Sequence, residues 1–217
     1  MTWTLGHLGS TRLQLNVSAL LVLPLVVLPG LGQYWLRPTL LALVLVVSIL
    51  VHELGHAAMA NRLGLGPCRV VVHGFGGLCS FTTPPTHRQG LWVSLAGPAA
   101  GLALGGLAWI LAHGSGSPPS GVPGILLSLL IRVNLFWSLF NLLPMFPLDG
   151  GQALRHLLHL NLPSHRAQGV TRGLGLTLGG ALAIWAFSAG SPFLAFVGVM
   201  VFGQNLRGDE KQTPLSD

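Results

Sequence analysis

Residues 48–56 read Ser48-Ile49-Leu50-Val51-His52-Glu53-Leu54-Gly55-His56, two imidazoles and a carboxylate at the close of a long apolar run. On an α-helix, residues four apart share a face. His52 and His56 can therefore grip one divalent cation from a single helix, with Glu53 beside it as a general base. The apolar run starts near Thr39. Thirteen residues at about 1.5 Å each carry His52 about 20 Å along such a helix. If the helix crosses a bilayer, that depth is inside the hydrocarbon and nearer the cytoplasm, so water has to reach it through a polar cavity. The plainer reading is a pair of packed histidines beside a carboxylate that pairs with Arg62.

Composition argues that the run is a membrane span. Hydrophobic residues make up 51% of the 217 and charged residues only 7%, against about 25% charged in soluble domains. Lipid is the solvent that fits. Five acids are present, Glu53, Asp149, Asp209, Glu210 and Asp217. The last three sit in a polar tail, which leaves two carboxylates in strongly apolar surroundings, where an ionisable group usually signals function. The net charge of +6 does not indicate nucleic acid, because the basic residues are scattered and form no stripe. Anionic lipid headgroups are their natural neighbours.

Six apolar segments are readable, at about 17–36, 39–60, 91–112, 124–143, 170–189 and 191–206. The first five approach the twenty residues that span about 30 Å of hydrocarbon. The sixth is short, and Pro24, Pro29 and Gly30 can kink or end the first. With six spans and the N-terminus inside, Arg12, Arg62, Arg69, Arg88, Arg155, Arg166, Arg172, Arg207 and Lys211 all fall on the cytoplasmic side. The positive-inside rule thus predicts that both termini are cytoplasmic. Two short β-prone runs within residues 69–81 flank Gly74, Gly76 and Gly77 and predict a hairpin. The fold class expected is an all-α polytopic membrane protein with five or six transmembrane helices and a short membrane-associated β-hairpin. Residues 113–124 read as a flexible external linker. Cys68 and Cys79 read as free thiols, and the first sixteen residues lack the pattern of a removable signal peptide.

Two imidazoles undersupply a zinc ion. Catalytic zinc usually has three protein ligands and a water, and two histidines with a carboxylate are a standard set. Asp149 is the other acid of the membrane body, in Asn141-Leu142-Leu143-Pro144-Met145-Phe146-Pro147-Leu148-Asp149-Gly150-Gly151. Pro144 and Pro147 break the fourth span and can turn the carboxylate back toward the bundle. Asp149 with Gln152 three residues later also resembles a capping box that opens a new helix; one carboxylate can do both.

The combination resembles the site-2 protease family of intramembrane metalloproteases. The resemblance rests on His52 to His56, on Asn141 to Gly150 with its Asn-x-x-Pro-x-x-Pro-x-Asp-Gly pattern, on Ser94-Leu95-Ala96-Gly97-Pro98-Ala99-Ala100-Gly101, and on the glycine-rich hairpin. It covers roughly residues 10–160. It implies that His52, His56 and Asp149 ligate one Zn²⁺ per chain and that Glu53 activates water. Asn141 would face the site and hydrogen-bond the substrate backbone or the developing oxyanion. The Val70–Phe81 hairpin, with Gly76 and Gly77, would offer a strand edge to an unwound substrate. Substrates would be membrane-spanning proteins cut within or near the bilayer, in a prokaryotic cell membrane. On this reading the chain is one protease domain, 1–217, with a catalytic core at about 10–160, C-terminal helices at about 170–206 and a tail at 207–217. Two other functions remain open, a metal-ion transporter and a proteolytically inactive adaptor of the same fold. Among other residues, Gly97, Gly101 and Gly105 read as helix-packing positions. His156 and His159 read as exposed side chains of an interfacial helix, and Asn134 needs an internal partner.

Overall fold

A computed structural model describes residues 2–19, 35–74, 76–114 and 119–207. Among the described residues six complete helices run in chain order: α1 (Leu36–Arg62), α2 (His87–His113), α3 (Gly121–Asn141), α4 (Asp149–His159), α5 (Ser164–Ser188) and α6 (Pro192–Arg207). Among the described residues α1, α2, α3 and α5 are long and apolar enough to cross a bilayer. The apolar helix α6 has 16 residues, about 24 Å at 1.5 Å each and so short of a full crossing. The segment read as a first span, 17–36, falls mainly on residues 20–34 and lies outside the described residues, as do 115–118 of the linker and the tail from 208.

The chain divides into two compact units, the first made of residues up to Thr83 with Ala96–Leu139, the second of Pro84–Leu95 with the residues from Phe140 onward. In the first unit the hairpin forms as read, from β3 (Cys68–His73) and β4 (Gly76–Phe81), with Cys68 opposite Phe81 and His73 opposite Gly76. Two N-terminal strands that the sequence reading leaves unassigned extend it. They are β1 (Thr2–Leu8) and β2 (Thr11–Asn16), and the four-stranded order is β1-β2-β3-β4, with β2 parallel to β3. A register shift between Thr4 and Gly6 breaks the period-two alternation of β1, which hides the strand from a pattern search. The sheet is tied to the end of α1. Asn61 Nδ2 donates to Thr11 Oγ1 at 2.9 Å and its Oδ1 accepts from Ser10 Oγ at 3.0 Å, while Val70 and Val72 are buried.

Small residues let the three helices of this unit approach closely, the usual device where lipid removes the hydrophobic drive between helices. A Cβ on Gly55 of α1 would lie 2.5 Å from the carbonyl oxygen of Ala96 and 2.7 Å from Ala100 Cβ, on α2. Gly101 and Gly105 face Ser138 and Asn134 of α3, as their packing role predicts. Asn134 finds the partner it needs, donating from Nδ2 to Ser48 Oγ of α1 at 2.9 Å and to Leu130 O at 2.9 Å. Trp109, Ile110, Leu111, Phe136 and Leu139 point outward, as lipid-facing side chains do.

In the second unit α5 and α6 form an antiparallel pair about Gly175, Gly179 and Gly198, whose missing side chains leave room for Asn205, Phe202 and Ala183. Arg172 donates from Nε and Nη2 to the carbonyls of Asn205 and Leu206, both at 3.0 Å, satisfying orphan acceptors at the end of α6. Asn205 Nδ2 in turn donates to Phe146 O at 2.6 Å, anchoring the turn that precedes α4. Helix α3 ends at Asn141, three residues before Pro144. Gly150 and Gly151 press so closely on the backbone of Leu142, Leu143, Met145 and Phe146 that a Cβ at either would collide. That contact seats the start of α4, and with it Asp149, against the turn.

Candidate metal centre

In the first unit α1 brings the two imidazoles together as the four-residue spacing requires. His52 Nε2 lies 3.2 Å from His56 Nε2, with the rings edge to face at 81°. Two nitrogens bound to one tetrahedral zinc at 2.0–2.1 Å are about 3.3 Å apart, so the pair is spaced for one ion. His52, Glu53 and His56 are all buried, and imidazole is a donor type that suits zinc. The donor set and spacing fit the metal that the sequence implies.

Two glycines clear the ground around these side chains. A Cβ on Gly97 of α2 would collide with His56 Nε2 and stand 2.8 Å from His52 Nε2. Gly97 therefore keeps open the space beside both ring nitrogens, where the sequence reading gives it only a packing role. Its lone signal is a mid-span Gly-Pro pair, which does not distinguish the two roles. Gly77 on β4 abuts Glu53, and a Cβ there would strike the Glu53 carboxyl group. Of the two hairpin glycines, Gly77 thus shapes the pocket of the carboxylate. Gly76, at φ 133°, lies by the indole of Trp137, a neighbour the sequence does not advertise. Cys79, also on β4, has its thiol pushed up to about 12 by burial, with the neighbouring Cys68 and the Glu53 charge adding to the effect. It stays protonated and unreactive, and both cysteines are free thiols.

Asp149 and Asn141 belong to the second unit. Asp149 is the first residue of α4 and buried, and Leu148, in an extended conformation, occupies the N-cap position. Asp149 therefore stands in the first turn of α4 and not at its N-cap. Gln152 Nε2 donates to Pro147 O at 3.2 Å, and its backbone N–H to Leu148 O at 3.0 Å. Asn141 is the half-buried last residue of α3.

Known proteins bear on this geometry. Several relatives carry the name "Putative zinc metalloprotease", among them the following two. Rip3 of Mycobacterium tuberculosis is 35% identical over 187 residues, 78% of this chain and 46% of its own. YwhC of Bacillus subtilis is 31% identical over 154 residues, 54% of this chain and 68% of its own. In three dimensions the chain superimposes on the site-2 protease from Methanocaldococcus jannaschii with a TM-score of 0.68 at 21% identity, covering 100% of this chain and 99% of that one. The chain belongs to the site-2 protease family. No profile of a known protein family matches the sequence. The archaeal likeness establishes the shared membrane-protease fold, and the sequence relatives carry the family's association with zinc. The chain spans about half the length of the first relatives it matches. Membership of this family, with four apolar helices long enough to span, makes it an integral membrane protein.

Proposed function

We propose that this protein is an intramembrane zinc endopeptidase that hydrolyses peptide bonds within or near the transmembrane segments of other membrane proteins. The observation that carries the proposal is the 3.2 Å separation of the His52 and His56 ring nitrogens beside a buried carboxylate, on a helix apolar enough to cross the bilayer. His52, His56 and Asp149 are the proposed ligands. Asp149 brings the carboxylate that completes the two-histidine set, and its burial is in keeping with that role. When bound, zinc polarises the scissile carbonyl and lowers the pKa of attacking water toward 7.

The chain's own residues carry the remaining steps. Glu53 takes the proton of the attacking water and delivers it to the leaving amine, the usual shuttle of a general base that becomes a general acid. Gly77 lets strand β4 lie directly against that carboxylate. Among the described residues β4 pairs on one side only, with β3, so its other edge is available to an unwound segment of substrate. A transmembrane substrate has to unwind there, because helical hydrogen bonds occupy its carbonyls. Asn141 is proposed to hold the substrate backbone or the developing oxyanion. Both termini are proposed to lie in the cytoplasm of a prokaryotic cell.

The test is cleavage of a model transmembrane substrate by purified protein in liposomes, with zinc content measured in parallel. Glu53→Gln should retain its zinc and lose cleavage. Equal activity in that variant would rule out the shuttle. Zinc flux across the liposome without cleavage would favour the transporter reading, and neither activity in the wild type would favour an adaptor.

A further inference from the structure

The second unit contains another cluster of imidazoles that the proposed chemistry does not use. His87, the first residue of α2, faces the last turns of α4. Its Nδ1 lies 3.4 Å from His156 Nδ1, and its ring stacks on that of His159 with centroids 4.6 Å apart at 19°. Gly90, three residues after His87, meets the His156 ring so closely that a Cβ would collide with it. His159 Nδ1 lies 2.8 Å from Arg155 O, so that nitrogen carries a proton and donates it to the carbonyl. All three rings are half-buried, contrary to the exposed interfacial histidines that the sequence suggests.

We propose that His87 and His156 form a second, exchangeable binding site for a divalent transition metal of the zinc class, with His159 as a positioning residue stacked against His87. The 3.4 Å between the two Nδ1 atoms matches the roughly 3.3 Å that one tetrahedral ion imposes on two nitrogens. Gly90, which leaves the His156 ring its space, and the stacked His159 ring hold the two rings in this arrangement. Imidazole-only donors select zinc, nickel or copper over magnesium and calcium, which require oxygen ligands. Asp149 stands at the other end of α4, two turns before His156. With two protein ligands and a nearby Arg155 guanidinium, the ion is held at micromolar strength and exchanges, water completing its shell.

The experiment is equilibrium dialysis of the detergent-purified full chain against Zn²⁺ from nanomolar to about 50 micromolar, with bound metal counted by mass spectrometry. Wild type is expected to show a tight class of one ion and a micromolar class of one more. His156→Gln and His87→Gln should each remove the micromolar class and leave the tight one. His159→Ala should weaken the micromolar class about tenfold. The double variant His52→Ala/His56→Ala should lose the tight class and keep the other. Co²⁺ substitution gives a second reading, in which the d–d absorption that appears at micromolar metal should vanish in His156→Gln. Circular dichroism confirms that each variant retains its helix. A micromolar class that persists unchanged in both His156→Gln and His87→Gln overturns the site, as does a wild type that binds a single ion over the whole range.

Discussion

The protein has two histidine pairs of nearly the same spacing, and what surrounds them sets them apart. His52 and His56 approach to 3.2 Å, His87 and His156 to 3.4 Å. The first pair is fully buried on one apolar helix with Glu53 between its members; the second is half-buried, joins two helices and has an arginine for a neighbour. Spacing alone makes a place for a metal ion. A general base beside it makes a reaction centre, and in a chain with so few acids the position of each one decides which pair does chemistry.

The most severe way to erase that difference is to remove the base. Glu53→Gln keeps the shape of the side chain and abolishes its proton transfer, so the first pair becomes, like the second, a holder of metal. Cleavage in liposomes should fall by about 10³-fold or more, within the range of general acid–base catalysis, while tightly bound zinc stays at the wild-type amount. The next largest effect removes a proposed ligand. Asp149→Ala should leave the first pair with imidazoles alone, and its zinc affinity should drop by at least about 100-fold, since even groups that only hydrogen-bond to a metal's ligands are worth about 10–100-fold. In a competition assay with a chelator its affinity should then approach that of the His87–His156 pair. An Asp149→Ala protein that holds zinc as tightly as wild type would remove Asp149 from the ligand set.

Smaller changes sharpen the comparison through the glycines. Gly97→Ala places a methyl group against the Nε2 atoms of both His52 and His56 and should cost zinc and activity together. Gly77→Ala displaces only Glu53; cleavage should fall about 10–100-fold with zinc retained, a split that metal analysis and kinetics on the same preparations will reveal. If both alanines reduce zinc equally, the separate roles given to the two glycines are wrong.

These glycines also mark where the sequence stops being legible. The His-Glu-x-x-His spacing fixes its own helix face, because α-helical geometry leaves one outcome for residues four apart, and the sheer scarcity of acids singles out Glu53 and Asp149. The four long apolar helices follow from length and hydropathy, and the β3–β4 hairpin from its β-branched run and glycines. Gly97 is a different matter. Whether a small residue in a span accommodates a neighbouring helix or the tip of a ligand depends on the rotation of two helices against each other, and no local pattern encodes that. The strands β1 and β2 escape notice because the irregularity at Thr4 and Gly6 spoils the alternation, and because β2 pairs in parallel with β3, a contact more than fifty residues away. His87 joins His156 and His159 by the same kind of long-range meeting, invisible to a reading that weighs each helix alone.

The mildest prediction concerns acid. His156 has a folded-state value pushed from 6.5 down to about 4, chiefly by burial. Above pH 6.5 its ring is neutral whether the chain is folded or not, and it makes stability neither rise nor fall. Between 6.5 and about 4 the unfolded chain takes up the proton and the folded chain refuses it, so stability declines as pH falls through this window and levels off below it. Thermal unfolding in detergent should show a melting temperature that drops by a few degrees from pH 7 to pH 4.5, and His156→Gln should flatten that slope. With zinc present at nanomolar levels, too little for a micromolar site, the acid slope should reflect His156. With zinc at 50 micromolar the slope should steepen in wild type, since folded protein then gains stability from the second ion near neutral pH and loses it on acidification. In His156→Gln the added zinc should leave the slope where it was, and that contrast separates an imidazole that merely resists protonation from one that also holds a metal.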